Sequence, residues 1–311
     1  MIEINNLVKV YGDKVAVNGI SFTVEKGEVL GFLGPNGAGK STTMNIITGY
    51  LSSTSGSVKI NGHDILEEPM EAKKSIGYLP ELPPLYLDMT VMEYLNFICD
   101  IKKVDRKERV SHLARIMSLV KIVDVADRLI GNLSKGYKQR VGIAQAMVGD
   151  PEILILDEPT VGLDPNQIRE IRKLIRLLAK NHTVIISSHI LSEIQAVCDR
   201  VVIINNGKVA AIDSINGLGK RLSDSSKLLL TFKGDLKAVV NSIRSIPGVV
   251  DVFVRDVEES DIHQIEISVL NNSDVRTGIF YNMANINCPI LEMRSLDASL
   301  EEVFLSITSG V

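Results

Sequence analysis

Nine residues, GPNGAGKST from Gly34 to Thr42, have the spacing of a phosphate cradle. They match GxxxxGK[ST], follow a predicted strand and open a predicted helix. Gly34, Pro35, Asn36, Gly37, Ala38 and Gly39 form a loop whose glycines let successive backbone N–H groups turn inward around an anion without Cβ clashes. The start of the following helix adds partial positive charge. Lys40 brings an ammonium to the β- and γ-phosphates, and Ser41, next to Thr42, offers a hydroxyl to Mg2+. A second pair, Asp157 and Glu158, closes the apolar run in ILILDEP. Ligands of open parallel sheets bind at such C-terminal strand ends. Strand side chains alternate faces, so the two carboxylates are expected to do different work. Asp157 would hold Mg2+, directly or through water, and Glu158 would polarise the water that attacks the γ-phosphate. A third stretch, LSKGYKQR from Leu133 to Arg140, sets a serine and a glycine where a helix begins, far along the chain from the cradle.

The elements that must position these residues follow from hydrophobic period. The strand VLGFL precedes the cradle, and a helix is predicted from Lys40 to about Leu51. EILILD and TVIISS read as strands of a sheet covered on both faces, each followed by a helix, the first from Asp164-Pro165 to about Lys180 and the second over ILSEIQAVC. This alternation implies βαβ units and a mainly parallel sheet. The runs IEINNLVKV, ISFTV and SGSVKINGHDI, the last with a turn at Asn61-Gly62, add an antiparallel β subdomain. An all-helical insert is predicted over about residues 81–149. It contains a capping box at Thr90 and Glu93, a helix from Arg109 and another from Ser134 to Val148. VVIINNGKVAAI closes the unit as a hairpin around Asn206-Gly207.

The predicted fold class is therefore α/β, a P-loop NTPase core over residues 1–217. The segment NGLGKRLSDSSK, from Asn216, reads as a linker. Residues 218–311 form a predicted small α+β domain of ferredoxin-like type, ending in a helix over SLEEVFLSIT.

Bulk properties bound the reading. The chain has 311 residues and a net charge of −4, so no global basic field argues for nucleic acid. Its three cysteines, Cys99, Cys198 and Cys288, form no CxxC pair and suit a reducing compartment as small core hydrophobes. No signal peptide is expected from MIEINNLVKVYG, and no apolar stretch approaches the ~20 residues of a spanning helix. His63, His112, His182 and His263 have no ligand-like spacing and are expected at the surface.

Together these residues resemble the ATP-binding subunits of ABC transporters, over about residues 1–215. LSKGYKQR is similar to that family's signature sequence, LSGGQ in its usual form. GLDP, from Gly162 to Pro165, is similar to the D-loop, SSH to the switch-histidine segment, and GYLPE to the Q-loop. The resemblance implies that two subunits pack head to tail around ATP, each signature facing the nucleotide held by the other's cradle. Ser134, Lys135 and Gly136 would then act in trans, although Ser134 can also be an ordinary helix cap. It implies that Tyr11 stacks on adenine, the alternative being a packed strand aromatic, and that His189 contacts the γ-phosphate, the alternative being a structural histidine. Asp164 would bridge the subunits, or else open its helix as an acid before Pro165. Glu81 stands where the family has glutamine and would supply Mg2+ an oxygen alongside Ser41 and Asp157. Lys135 and Tyr137 are further departures.

The function so implied is Mg2+-dependent ATP hydrolysis by a dimer, peripheral at the cytoplasmic face of a membrane, powering export through a separate permease. GYLPE and LSKGY look most like gliding-motility-associated members of the export group. The alternative is an ATP-gated clamp that regulates a membrane partner with little turnover. A soluble relative acting on ribosomes or DNA is disfavoured by the single cassette and the absence of a basic excess.

Overall fold

The structure is a computed structural model that describes residues 1–215, 217, 225–255, 261–270 and 273–296. The chain divides into two compact units, Met1–Ile215 and Asn216–Val311.

In the first unit, β1 (Ile2–Tyr11) and β2 (Lys14–Val24) pair as a hairpin, and β4 (Ser55–Ile60) and β5 (His63–Asp64) extend it to an antiparallel sheet ordered β2-β1-β4-β5. The Asn61-Gly62 turn joins β4 and β5, with both residues at positive φ. The central sheet contains β3 (Val29–Leu33), β6 (Ile76–Leu79), β7 (Ile153–Asp157), β8 (Thr183–Ser188), β9 (Arg200–Asn205) and β10 (Lys208–Ser214), ordered β10-β9-β3-β8-β7-β6. Only β10 runs antiparallel, after the predicted Asn206-Gly207 hairpin. Every residue of β3, β7 and β8 is buried, as their continuous apolar runs predict for strands covered on both faces. Phe22 of β2 and Phe32 of β3 meet at 5.5 Å between ring centroids and join the two sheets into one core with Met44, Ile155 and Ile185.

α1 (Lys40–Ile47) follows the cradle and stops at Thr48, where Gly49 turns to φ 67; the predicted extension to Leu51 does not form. α2 (Pro69–Lys74) has no forerunner in the sequence pattern: EEPMEAKK lacks an apolar period, and Pro69 starts the turn at the first helical position. The helical insert contains α3 (Val91–Ile101), α4 (Arg106–Val120) and α5 (Lys135–Met147). The Thr90–Glu93 capping box forms as predicted. α4 begins three residues before the predicted Arg109, because Asp105 accepts from the Lys107 N–H. Tyr94 of α3 donates to Gln145 of α5 at 2.6 Å and locks the insert together. α6 (Pro165–Leu178) and α7 (Leu191–Val197) connect the last parallel strands.

The second unit contains β11 (Ser225–Lys233), α8 (Leu236–Arg244), β12 (Val249–Arg255), β13 (Ile262–Leu270), α9 (Arg276–Asn285) and β14 (Ile290–Leu296). Its antiparallel sheet is ordered β12-β13-β11-β14, the split βαβ arrangement of the ferredoxin-like type. Val239, Ile243, Ile279 and Met283 of the two helices bury against Leu228, Leu230 and Phe232 of the central strand β11. The helix predicted over SLEEVFLSIT, and most of the predicted linker, lie outside the described residues.

Candidate functional site

The cradle joins β3 to α1. Gly37 lies at φ 81 and Gly39, the residue before α1, at φ 106, conformations that L side chains avoid. A Cβ at Gly39 would stand 2.5 Å from the Ala16 carbonyl, and one at Gly34 would collide with the Ile204 carbonyl. At Gly37 a Cβ would meet open space, so backbone conformation and not packing requires glycine there. A cavity of about 350 Å3 opens in front of the loop, and Asn36, Gly37, Gly39, Lys40, Ser41 and Thr42 line it. Tyr11, Glu81, Glu158 and His189 line it too, although they come from elements far apart in sequence.

Lys40 is buried and donates its Nζ to the Gly34 carbonyl at 2.8 Å and the Pro35 carbonyl at 3.3 Å. Its ammonium lies 3.7 Å from Glu158 Oε1. Both oxygens of Glu158 sit 3.0 Å from His189 Nδ1. Asp157 stands behind the cavity, 3% exposed, and accepts from the Ser187 hydroxyl. Burial is the main cause that raises the Asp157 carboxyl above the usual carboxylate range; the Ser187 hydrogen bond opposes this, and Glu158 and Glu81 add to it. Tyr78, next to these acids, is likewise pushed up by burial first and then by Asp157 and Glu81.

The two carboxylates do diverge, though alternation along a strand is not the reason. β7 ends at Asp157, and Glu158 takes a left-handed backbone at φ 48. That turn, held by bonds from the Glu158 N–H to Ser187 O at 3.2 Å and Ser187 Oγ at 3.0 Å, brings its side chain to the cavity.

Tyr11 ends β1 at the cavity rim, 44% exposed, with Lys9 Nζ 5.1 Å above its ring. At that exposure Tyr11 is not a packed strand aromatic. Gly34, Pro35 and Ala38 form the back of the loop and do not line the cavity; Ala38 belongs to the core.

Ser134, Lys135 and Gly136 also do not line it. Ser134 caps α5, accepting from the Tyr137 N–H at 3.4 Å. Gly136 is buried against Gln167 of α6, where a Cβ would stand 2.8 Å from Cδ. The Lys135 ammonium lies against Gly162 of the same chain. Tyr137 donates to Asp124 at 2.7 Å, a bond that raises its phenol. Asp164 caps α6, its Oδ1 accepting from Asn166 and Gln167 N–H groups at 2.9 Å.

The histidines set aside on spacing are not simply surface groups. His182 is buried, its Nδ1 2.7 Å from the Pro151 carbonyl. His112 Nε2 accepts from the Gly149 N–H at 3.0 Å, and burial lowers its pKa. All three cysteines are free and buried.

A second, larger cavity of about 840 Å3 runs beside Glu81. Tyr86, Tyr94, Phe97 and Ile101 line it from the helical insert, with Pro80, Leu82 and Pro84 from the segment around Glu81.

A family model described as ABC transporter matches residues 17–161. The linearmycin resistance ATP-binding protein LnrL of Bacillus subtilis (strain 168) is 35% identical over 309 residues, covering 99% of this chain and 98% of its own. The bacitracin transport ATP-binding protein BcrA of Bacillus licheniformis is 34% identical over 322 residues, covering 100% of this chain and 98% of its own. Among solved structures, the dimeric form of MJ0796, a bacterial ABC transporter cassette, superposes with a TM-score of 0.64 at 25% identity, covering 69% of this chain and 99% of that one.

Proposed function

The chain belongs to the ABC transporter ATP-binding proteins, P-loop ATPases, and from that premise we propose that it works as one half of a head-to-tail dimer whose ATP hydrolysis drives export through a separate permease. One observation carries the reading. The cavity gathers Tyr11, the loop, Glu81, Glu158 and His189, while Ser134, Lys135 and Gly136 lie outside it. In this reading the signature corner meets the triphosphate of a second copy, which its position outside the chain's own cavity supports.

In this reading the loop N–H groups and Lys40 bind the β- and γ-phosphates. Glu158 takes the proton of the attacking water, and His189, bonded to it, orients the base and reaches the γ-phosphate. The donor set fits Mg2+: Ser41, Glu81 and Asp157 supply one hydroxyl and two carboxylates, and substrate phosphates supply the rest. When bound, the ion neutralises charge on the phosphate oxygens. Asp164 joins the dimer contact through its loop while capping α6.

Among the described residues no helix is long and apolar enough to cross a membrane. The reading assigns the membrane path to another chain and places this one at the cytoplasmic face. The groove beside Glu81 is the docking place for that chain, since Leu82 in its wall is 85% exposed and Glu81 ties it to the nucleotide cavity. Assignment to the gliding-motility-associated members rests on GYLPE and LSKGY alone. The paired Glu158 and His189 favour turnover over a non-hydrolysing clamp.

Glu158→Gln keeps the cradle and removes the base. With ATP it is expected to run as a stable dimer in size-exclusion chromatography and to lose steady-state hydrolysis. Monomers at every ATP concentration would sink the trans reading.

A further inference from the structure

The catalytic pair depends on a backbone that glycine would find easier. Glu158 lies at φ 48, in the left-handed region that a residue with a Cβ avoids. Two buried polar side chains from helices hold the residues that follow it. Gln139 of α5, five residues after Ser134, donates its Nε2 to the Pro159 carbonyl at 2.8 Å. Thr160 donates its hydroxyl to Glu193 Oε2 of α7 at 2.5 Å, and the same oxygen accepts from Ser188 at 3.0 Å.

Glu193 is 8% exposed. A carboxylate at that depth is costly, and an apolar residue of similar size would serve packing alone at least as well. Its two donors explain its presence. Thr160 lies two residues after Glu158, and Ser188 immediately precedes His189. The Ser188 oxygen also accepts from the N–H of Ile190, the residue after His189, at 3.1 Å. One carboxylate oxygen therefore sets the spacing between the loop that carries Glu158 and the loop that carries His189, whose side chains meet at 3.0 Å.

We propose that Glu193 and Gln139 are positioning residues, a two-point clamp that holds the Glu158–His189 pair in register for hydrolysis. This rests on the reading of Glu158 as the base. Neither residue lines the nucleotide cavity, so loss of the clamp should change turnover and not binding.

The test is steady-state ATPase kinetics with ATP titrations and melting curves on the full chain. Glu193→Ala is expected to lower kcat by about tenfold to a hundredfold, the cost of misplacing a reacting group by about 1 Å, with KM within about twofold of wild type. Glu193→Gln keeps an oxygen that can accept from both hydroxyls and should recover most of that loss. Thr160→Val, which removes the hydroxyl at nearly constant volume, should fall like Glu193→Ala, and the double variant should fall little further. Gln139→Met, which fills the space without a donor, should show the same split between kcat and KM. The clamp is overturned if Glu193→Ala keeps wild-type kcat, if its kcat and ATP binding fall together, or if the Thr160 and Glu193 effects multiply. Glu158→Gln is run beside them: full turnover in that variant would refute the base reading itself, whereas an inactive Glu158→Gln beside an active Glu193→Ala refutes only the clamp.

Discussion

α1 and α5 use the same device and finish it differently. Each presents backbone N–H groups at a positive helix end. Before α1 stands Gly39, at φ 106 and with no side chain to cap the helix, and the loop faces a cavity that Lys40, Glu158 and His189 also reach. Before α5 stands Ser134, whose hydroxyl makes a long 3.4 Å bond to the Tyr137 N–H, and neither it nor Gly136 borders that cavity. A third helix, α6, is closed by its own acid, with Asp164 taking two N–H groups at 2.9 Å. What surrounds a helix end decides its use. At α1 the chain's own lysine and carboxylates border a shared cavity, at α6 the chain's own carboxylate fills the end, and at α5 a single long cap leaves the end that the proposed dimer would bring to another copy's anion.

The sharpest way to break this contrast is to damage each end in turn. Lys40→Ala removes the cradle's buried cation, and hydrolysis is expected to fall by about 100-fold to 1,000-fold, the range for deleting one preorganised electrostatic donor. ATP affinity, read by the ligand-induced shift in melting temperature, should fall with it. Gly136→Asp places bulk against Gln167 and a negative charge at the α5 end. Hydrolysis should drop by about tenfold to a hundredfold, the scale of misplacing the capping group by about 1 Å. ATP-induced stabilisation of the single chain should survive. If the Gly136 variant lost ATP binding as fully as the Lys40 variant, the two ends would belong to one site in one chain, and the contrast would be false.

The parts legible in the sequence are those carried by local chemistry. GPNGAGKST, the Thr90–Glu93 box and the Asn206-Gly207 hairpin each sit within a few residues, and each forms as read. Asp157 and Glu158 are legible as a pair, but the left-handed turn that separates them is not, because alternation assumes that the strand continues. α2 has no apolar period to announce it. His182 looks like a surface histidine until the Pro151 carbonyl, 31 positions away, is placed against its ring. Gln139 and Glu193 escape a sequence reading for the same reason: Pro159 lies 20 positions from Gln139, and Thr160 lies 33 from Glu193. That the Lys135 ammonium rests on Gly162 of its own chain, 27 positions away, is likewise invisible in the sequence. In physical terms, type and spacing disclose groups that act through the backbone near them, whereas groups that act across the fold emerge only with the fold.

A smaller effect sharpens the description of the cradle. Glu81 borders the same cavity as Ser41 and Glu158. Glu81→Gln removes one negative charge while keeping a carbonyl oxygen. The Mg2+ concentration that half-saturates hydrolysis is expected to rise about fivefold, matching the roughly 1 kcal/mol of a unit charge pair in high dielectric. The Glu158→Gln dimer should form as readily when Glu81→Gln is added to it, since nothing at the α5 end has changed. An unaltered Mg2+ dependence would remove Glu81 from the metal site.

The smallest expected change concerns stability, and it separates the two ends once more. Burial raises the Asp157 carboxyl, so the folded chain holds that proton more tightly than the unfolded chain. For an acid shifted upward, folding is favoured below the ordinary carboxylate pKa, and that advantage is lost as pH rises through the raised value. Ionising Asp157 therefore burdens the fold. Asp157→Asn relieves it, and its oxygen can still accept from Ser187. The variant should melt above wild type once the pH exceeds the raised value, while losing hydrolysis. The gap should close as pH falls to the carboxylate range. Ser134→Ala, at the α5 end, removes no buried charge and should lower the melting temperature slightly at every pH, as loss of a helix cap does. A melting gap for Asp157→Asn that widened in acid would reverse the sign assigned to its burial, and with it the claim that the end of β7 behind the cavity, unlike the α5 end, holds a buried carboxyl whose ionisation costs the fold stability.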